Sequence, residues 1–254
     1  MPGEHFLSGK HAVVTGGSRG IGAACARALA AHGARITLLG RDRGALDDVS
    51  ASIPDSLAVV CDVTDDAAVV KTFTEAQARF PVSVLVNNAG MAESAPFLKT
   101  SDALLARMFD VNVLSAFRCT RAVLPDMLAR GWGRVVNIAS IAGLKGGRYI
   151  SAYVATKHAL VGFTRALAAE VQGKGVTVNA VCPGYVDTDM TRRTIANIVA
   201  RTKLTEEQAL AEIARGNAGG RLIPPEAVAA EVVRLCAPAS SAINGEAVPM
   251  GDIT

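Results

Sequence analysis

Short apolar runs separated by amphipathic stretches constrain this 254-residue chain more than any single motif. The runs are His11–Thr15, Arg35–Leu39, Ala58–Cys61, Ser83–Val86, Arg134–Ile138, Thr177–Val181 and Glu246–Pro249. Between them lie helix-period stretches over Ile21–His32, Asp42–Ala51, Asp65–Arg79, Ser101–Arg130, Ala152–Gln172 and Pro225–Leu235. Strands that alternate with helices form βαβ crossovers, which place parallel strands in one sheet with both faces covered. The expected architecture is α/β: one doubly wound parallel sheet flanked by helices. No linker or repeat divides the chain, so a single domain over residues 1–254 is expected. Half of the residues are hydrophobic and 19% are charged, as a large buried core requires.

Several function classes lose support early. A net charge of +3 without a dense Lys/Arg block gives no footing to a nucleic-acid partner. No apolar run reaches the length of a membrane span. The start, Met1-Pro2-Gly3-Glu4-His5-Phe6, lacks a basic segment followed by an apolar one, so it does not read as a signal peptide. Cys25, Cys61, Cys119, Cys182 and Cys236 form no Cys-x-x-Cys pair and sit among apolar residues, as reduced core thiols of a cytoplasmic protein do. His5, His11, His32 and His158 show no metal-ligand spacing, so no metal is expected.

One stretch departs from the alternation. Residues 189–221 are longer than an ordinary loop. Thr205-Glu206-Glu207-Gln208 is a capping box that starts a helix, and Gly216 suits the position just past its end. Ile195, Ile198 and Val199 make an apolar stripe before it. The reading is a two-helix flap over a cleft; a peripheral helical pair without a role is the competing one.

Thr15-Gly16-Gly17-Ser18-Arg19-Gly20-Ile21-Gly22 follows the first strand and opens the first helix. Glycines there allow a tight turn and a close approach of backbone to a pyrophosphate, which the free N–H groups of the helix start attract. Its Gly-x-x-x-Gly-x-Gly spacing differs from the commoner Gly-x-Gly-x-x-Gly, and the strand–helix context supports the same reading. The end of the second strand separates NAD from NADP. Gly40 leaves room there, Arg41 suits a 2′-phosphate, and Arg19 would close on it from the other side. NADP(H) is therefore favoured over NAD(H), with Asp42 on the ribose as the opposing reading. Asp62-Val63 ends the third strand, where a carboxylate accepts from an adenine amino group. Asn87-Asn88-Ala89-Gly90 ends the fourth, with small residues where ribose and nicotinamide would pass. Alone, either of these is also a common turn or cap.

Tyr153 and Lys157 lie four residues apart on an expected helix and share a face. An ammonium beside a phenol favours the phenolate, so Lys157 is expected to lower the Tyr153 pKa toward neutrality and make it a general acid or base. His158 points away from that face. With these residues in order, the chain resembles the short-chain dehydrogenase/reductase family. The motifs are Thr15–Gly22, Asp62-Val63, Asn87–Gly90, Asn112, Ser140, Tyr153-x-x-x-Lys157 and Pro183-Gly184. The resemblance implies a Rossmann-type fold and NAD(P)-dependent interconversion of an alcohol and a carbonyl. It also implies roles. Tyr153 exchanges the proton, Lys157 holds the ribose and tunes Tyr153, and Ser140 bonds the substrate oxygen. Asn112 supports a water leading from Lys157 to solvent. Pro183 and Gly184 meet the nicotinamide, with Val186 and Thr188 at its carboxamide.

Among the family's substrates, the sequence looks like 3-oxoacyl-thioester and polyketide-type ketoreductases, whose acyl group would suit the apolar stripe of the flap. Arg192, Arg193, Arg201 and Lys203 would face an anionic carrier, or be solvated surface. A secondary-alcohol or 3-hydroxyacyl-CoA dehydrogenase is the alternative. A non-catalytic cofactor-binding regulator is a different class, opposed by the complete Asn112, Ser140, Tyr153 and Lys157 set. The resemblance also implies that Ser101–Arg130 and Ala152–Gln172, equivalent to the helices through which family members pair, form the self-complementary interface of a homotetramer, with a dimer as the second expectation. The ending Val248-Pro249-Met250-Gly251-Asp252-Ile253-Thr254 departs from the family's common Asp-Gly-Gly.

Overall fold

A computed structural model describes residues 5–251 of the chain. The readings of residues 1–4 as leaderless and of 252–254 as a departure from Asp-Gly-Gly lie outside the described residues. Strands β1 (His11–Thr15), β2 (Arg35–Gly40), β3 (Leu57–Val60), β4 (Val82–Asn87), β5 (Gly133–Ile138), β6 (Val176–Pro183) and β7 (Ala247–Met250) fall on the expected apolar runs. They form one sheet in the order β3-β2-β1-β4-β5-β6-β7, and every pairing is parallel.

The strand period of two sorts the core into layers. Ala12, Val14, Ile36, Leu38, Val84, Val86, Val136 and Ile138 pack under helices α1 (Gly20–Ala31) and α9 (Pro225–Cys236). Val13, Leu39, Leu85, Val135 and Val178 face the opposite side. That side is covered by α3 (Asp66–Arg79), α5 (Ser115–Ala129) and α6 (Ser151–Glu170). Burial on both faces explains why the strands read as continuous apolar runs rather than alternating ones. Helix α2 (Arg43–Ser50) is capped by Asp42, whose side chain accepts from the Ala45 N–H. The order reverses between β1 and β4, which opens a crevice at the strand C-terminal ends where ligands bind in such sheets.

The expected helix Ser101–Arg130 is interrupted. Helix α4 (Asp102–Phe109) runs into a π-helical turn at Asp110–Leu114 and then into α5. The wider turn carries Asn112 inward, where it is 1% exposed. Such turns are frequent at functional sites, and helical periodicity gave no sign of it. After β6 come α7 (Asp189–Arg201) and α8 (Glu206–Ala214), with both halves of the Thr205–Gln208 capping box formed. Ile195, Ala209 and Ile213 make a small apolar core of their own, with Ile198 and Val199 packed on it. Gly216 does not take the left-handed turn expected of it: α8 ends at Arg215 in a right-handed conformation, and positive φ appears only later, at Gly219 and Gly220. Among the described residues, no helix is long and apolar enough to cross a membrane.

Candidate active site

The glycine turn is shaped by close contacts. A Cβ at Gly22 would lie 2.2 Å from the Gly16 carbonyl oxygen and 2.5 Å from Asn88 Nδ2, and Gly16 itself holds φ at +63°. No other residue fits either position. The side chains around this turn work inward. Thr15 Oγ1 accepts from the N–H groups of Asn88 and Ala89, both at 3.0 Å. Asn88 Nδ2 donates to the carbonyls of Thr15 and Gly16, each at 3.0 Å. Thr15 and Asn88 therefore lock the two crevice loops together, and the backbone around Ser18, Gly20 and Ile21 is left at the start of α1. Gly20 closes against Thr188, whose Cγ2 would be 3.1 Å from an added Cβ.

Arg41, with its side chain 79% exposed, stands 3.9 Å from Asp62. Arg19 pairs with Asp42 at 3.4 Å and lies 3.9 Å from Asp189. The Thr64 backbone N–H and hydroxyl both bond Asp62 Oδ1 and hold that carboxyl below its usual range. Val63 is buried beside it.

Deeper in the crevice, Ser140, Tyr153 and Lys157 converge from β5 and α6. The Ser140 and Tyr153 hydroxyls are hydrogen-bonded to each other. Ser140 also accepts from the Ala142 N–H at 3.1 Å and donates to the Pro183 carbonyl at 3.4 Å. Lys157 Nζ donates to the Ile138 carbonyl at 2.9 Å and lies 5.7 Å from the centre of the Tyr153 ring. The expected depression of the Tyr153 pKa is not what this geometry produces. Burial pushes the phenol up to about 12, against the pull of the Ser140 bond. Burial also pushes the Lys157 ammonium down to about 8. With Nζ turned to a backbone carbonyl, desolvation outweighs the attraction between the two groups.

Asn112 is held through its side chain by three hydrogen bonds. Its Oδ1 accepts from the Met91 N–H at 2.8 Å, and its Nδ2 donates to the Met91 carbonyl and to Thr156 Oγ1, both at 3.0 Å. Its side chain thus ties the loop after β4 to α6, one residue from Lys157. Gly90 sits between them: an added Cβ would be 3.3 Å from Asn112 Oδ1 and 3.8 Å from Lys157 Nζ. Sequence reasoning missed Thr156, fully buried, and Asn217, 4% exposed. Asn217 accepts from the Tyr185 N–H and donates to the carbonyls of Tyr185 and Arg221, which pins the end of the two-helix segment to the loop after β6. Its Oδ1 would lie 2.0 Å from a Cβ at Gly184. Neither residue carries a sequence signal, because a buried polar side chain looks like a surface one until its partners are known. Val186 is buried and bridges to Ile223.

The short chain dehydrogenase profile matches residues 10–198, from the start of β1 into α7. The chain belongs to the short-chain dehydrogenase family. Its relatives differ in substrate. The galactitol 2-dehydrogenase (L-tagatose-forming) of Cereibacter sphaeroides is 41% identical over 94% of this chain and 92% of its own length. The 3-oxoacyl-acyl-carrier-protein reductase of Vibrio cholerae is 35% identical over 94% and 95%. A variant of actinorhodin polyketide ketoreductase, solved with NADPH, superposes with a TM-score of 0.90 at 34% identity, over 94% of this chain and 95% of that one. This short-chain dehydrogenase is accordingly an NAD(P)-dependent oxidoreductase acting on an alcohol/carbonyl pair. Its own residues fit the dinucleotide, since the turn at Gly16–Gly22 leaves no space for side chains where a pyrophosphate needs bare backbone. Among the described residues, no cluster of His, Cys, Asp or Glu could hold a metal.

Proposed function

We propose that this enzyme is an NADPH-dependent ketoreductase whose substrate is a 3-oxoacyl thioester, linked to acyl carrier protein or CoA, or a polyketide-like ketone. The observation that carries the reading is the Ser140–Tyr153 hydroxyl pair with a buried Lys157 beside it. At neutral pH a phenol with its pKa raised to about 12 keeps its proton, the state required of the acid in reduction.

Gly16, Ser18, Arg19, Gly20, Ile21 and Gly22 would hold the pyrophosphate half of the dinucleotide, with Thr15 bracing the turn. Asp62 and Val63 would hold the adenine. Asn88, Ala89, Gly90, Lys157, Pro183, Gly184, Val186 and Thr188 would hold the nicotinamide half, with Tyr153 alongside. When bound, the nicotinamide supplies or takes up the hydride exchanged at the carbonyl carbon. Tyr153 Oη gives its proton to the carbonyl oxygen, and Ser140 holds that oxygen in place. Lys157 keeps positive charge under the phenol as its proton leaves. Asn112 positions the loop at Met91 against Thr156. Helices α7 and α8 act as the flap, closing the acyl end of the cleft.

Gly40 at the end of β2 supports NADPH, because it leaves the 2′ position open to Arg41. Arg41→Ala is expected to raise KM for NADPH about tenfold, the loss of one charge-assisted bond, and to leave KM for NADH unchanged. Equal effects on both cofactors would overturn the assignment. The second reading is a dehydrogenase of secondary alcohols, polyols or 3-hydroxyacyl-CoA. It is favoured by the 41% identity to galactitol 2-dehydrogenase and by Asp42, which draws Arg19 toward itself. Steady-state oxidation of NADPH and NADH with acetoacetyl thioester or ketones, beside reduction of NADP+ and NAD+ with galactitol, separates the two. Thioester turnover with NADPH supports the first, and turnover confined to polyols or ketones supports the second.

The five free, buried cysteines suit a reduced cytoplasmic setting. Exposed Leu105, Leu114 and Phe117 along α4 and α5 support a homotetramer built on these helices. Light scattering is expected to return four times the chain mass, and a monomer at micromolar concentration would exclude it.

A further inference from the structure

Tyr149 is held in a conformation that tyrosine rarely takes. Its φ is +65°, and the other described non-glycine residue with positive φ is Asp55. Aspartate tolerates this region because its short side chain bonds locally, whereas a bulky residue there is strained and is kept only where its surroundings demand it. Core packing does not demand it, since Tyr149 is 60% exposed.

What holds Tyr149 is the cleft mouth. Its carbonyl accepts from the Ala95 N–H at 2.8 Å, which ties the loop before α6 to the loop after β4. The second loop is anchored on Asn112 through Met91 and on α7 through Arg201, which donates to the Ser94 carbonyl at 3.2 Å. Tyr149 lies four residues before Tyr153, in the loop that leads into α6. Over its ring, at 5.9 Å, stands the guanidinium of Arg148. Arg148 has no ion pair among the described residues. Of the flap cations, Arg192 is neutralised by Asp187 and Asp189, and Arg201 is spent on Ser94.

We propose that Arg148 and Tyr149 are the specificity-determining pair for the distal end of the substrate and bind an anionic group, phosphate or carboxylate, carried away from the reacting carbonyl. This inference rests on the ketoreductase reading above. The cation–π attraction of the ring holds the guanidinium nearby and leaves its N–H groups to meet two oxygens of the anion. The strained backbone is the device that keeps the ring at the mouth instead of folded against the loop.

Matched substrate pairs test this. Acetoacetyl-CoA is compared with acetoacetyl-N-acetylcysteamine, which lacks the phosphates, and acetoacetate with ethyl acetoacetate, which lacks the carboxylate. In Arg148→Gln, kcat/KM for the anionic member is expected to fall about tenfold through KM, the neutral member is unchanged, and the difference shrinks as salt rises. The pair that responds identifies the anion. Tyr149→Gly is expected to lose the same preference while melting no lower than the parent, because glycine adopts this φ without strain. An unmoved ratio in both pairs overturns the inference, as does equal loss on charged and neutral members. Failure of the thioester reading looks different: the parent enzyme then turns over neither thioester, and the acetoacetate pair still reports on Arg148.

Discussion

Tyr153→Phe is expected to lower kcat/KM for carbonyl reduction about a thousandfold, within the range for losing a positioned acid, while NADPH binding measured by fluorescence titration stays within about twofold. The substitution removes one oxygen and keeps the ring in its place on α6. The proton that balances the hydride then has to come from water, and Ser140 loses one of its hydrogen-bond partners. Activity within tenfold of the parent would mean that another group is the acid, and the Ser140–Tyr153 pair would then be only a helix-start contact.

Lys157→Met is expected to separate activity from stability. Turnover should fall about a hundredfold or more, as when a preorganised charge is removed from beside the reacting oxygen. Stability should rise. Burial holds the Lys157 pKa at about 8 against an ordinary 10.5, so at neutral pH the fold carries a charged group it would rather lose. That cost is on the order of 3 kcal/mol, offset by about 1 kcal/mol for the lost bond to the Ile138 carbonyl. A net gain of about 2 kcal/mol corresponds to a Tm higher by about 4–8 °C. The dependence on pH has a definite sign. Below about 8 the lysine is charged in both folded and unfolded chains, and the fold bears the whole cost. Between about 8 and 10.5 the folded enzyme has lost the proton that the unfolded chain keeps, so the parent gains stability as pH rises. The advantage of Lys157→Met should therefore be full at pH 7 and gone above 10.5. A lower Tm at pH 7, or a difference that ignores pH, would show that the ammonium is not destabilised by burial.

Together these variants distinguish a working site from a cofactor-binding scaffold. A scaffold would keep its cellular role in Tyr153→Phe and would have no reason to retain a buried lysine that costs stability. Strain and burial of this kind concentrate at functional sites. In this enzyme Lys157, beside Tyr153, carries such burial, and Tyr149, four residues before Tyr153, carries such strain.

Much of the architecture was legible in the residues. Strands buried on both faces must be apolar throughout, and the helices between them must be amphipathic, so order and type of the elements follow from hydrophobic pattern alone. The glycine turn was legible for a steric reason, because positions that tolerate no Cβ admit one residue type. The capping box at Thr205–Gln208 was legible because its partners are three residues apart. What local pattern could not supply was any contact between distant residues. It placed Asn112 in a regular helix, whereas a π-turn carries it to Met91 and Thr156. It offered Arg192, Arg193, Arg201 and Lys203 to a carrier, and could not show that Arg192 pairs with Asp187 and Asp189 or that Arg201 donates to the Ser94 carbonyl.

The Tyr153 pKa shows the division most clearly. Spacing on a helix determined that Tyr153 and Lys157 share a face, and residue chemistry determined that one can carry a proton and the other a charge. Whether the charge lowers the phenol depends on where Nζ points and how much water reaches both groups, and only the tertiary structure decided these. It turned Nζ to the Ile138 carbonyl, buried Lys157 and left Tyr153 half-buried among side chains that exclude water from its hydroxyl, so desolvation sets both values. Local sequence specifies which groups are neighbours along the chain, whereas solvent exclusion arises from every element packed around them.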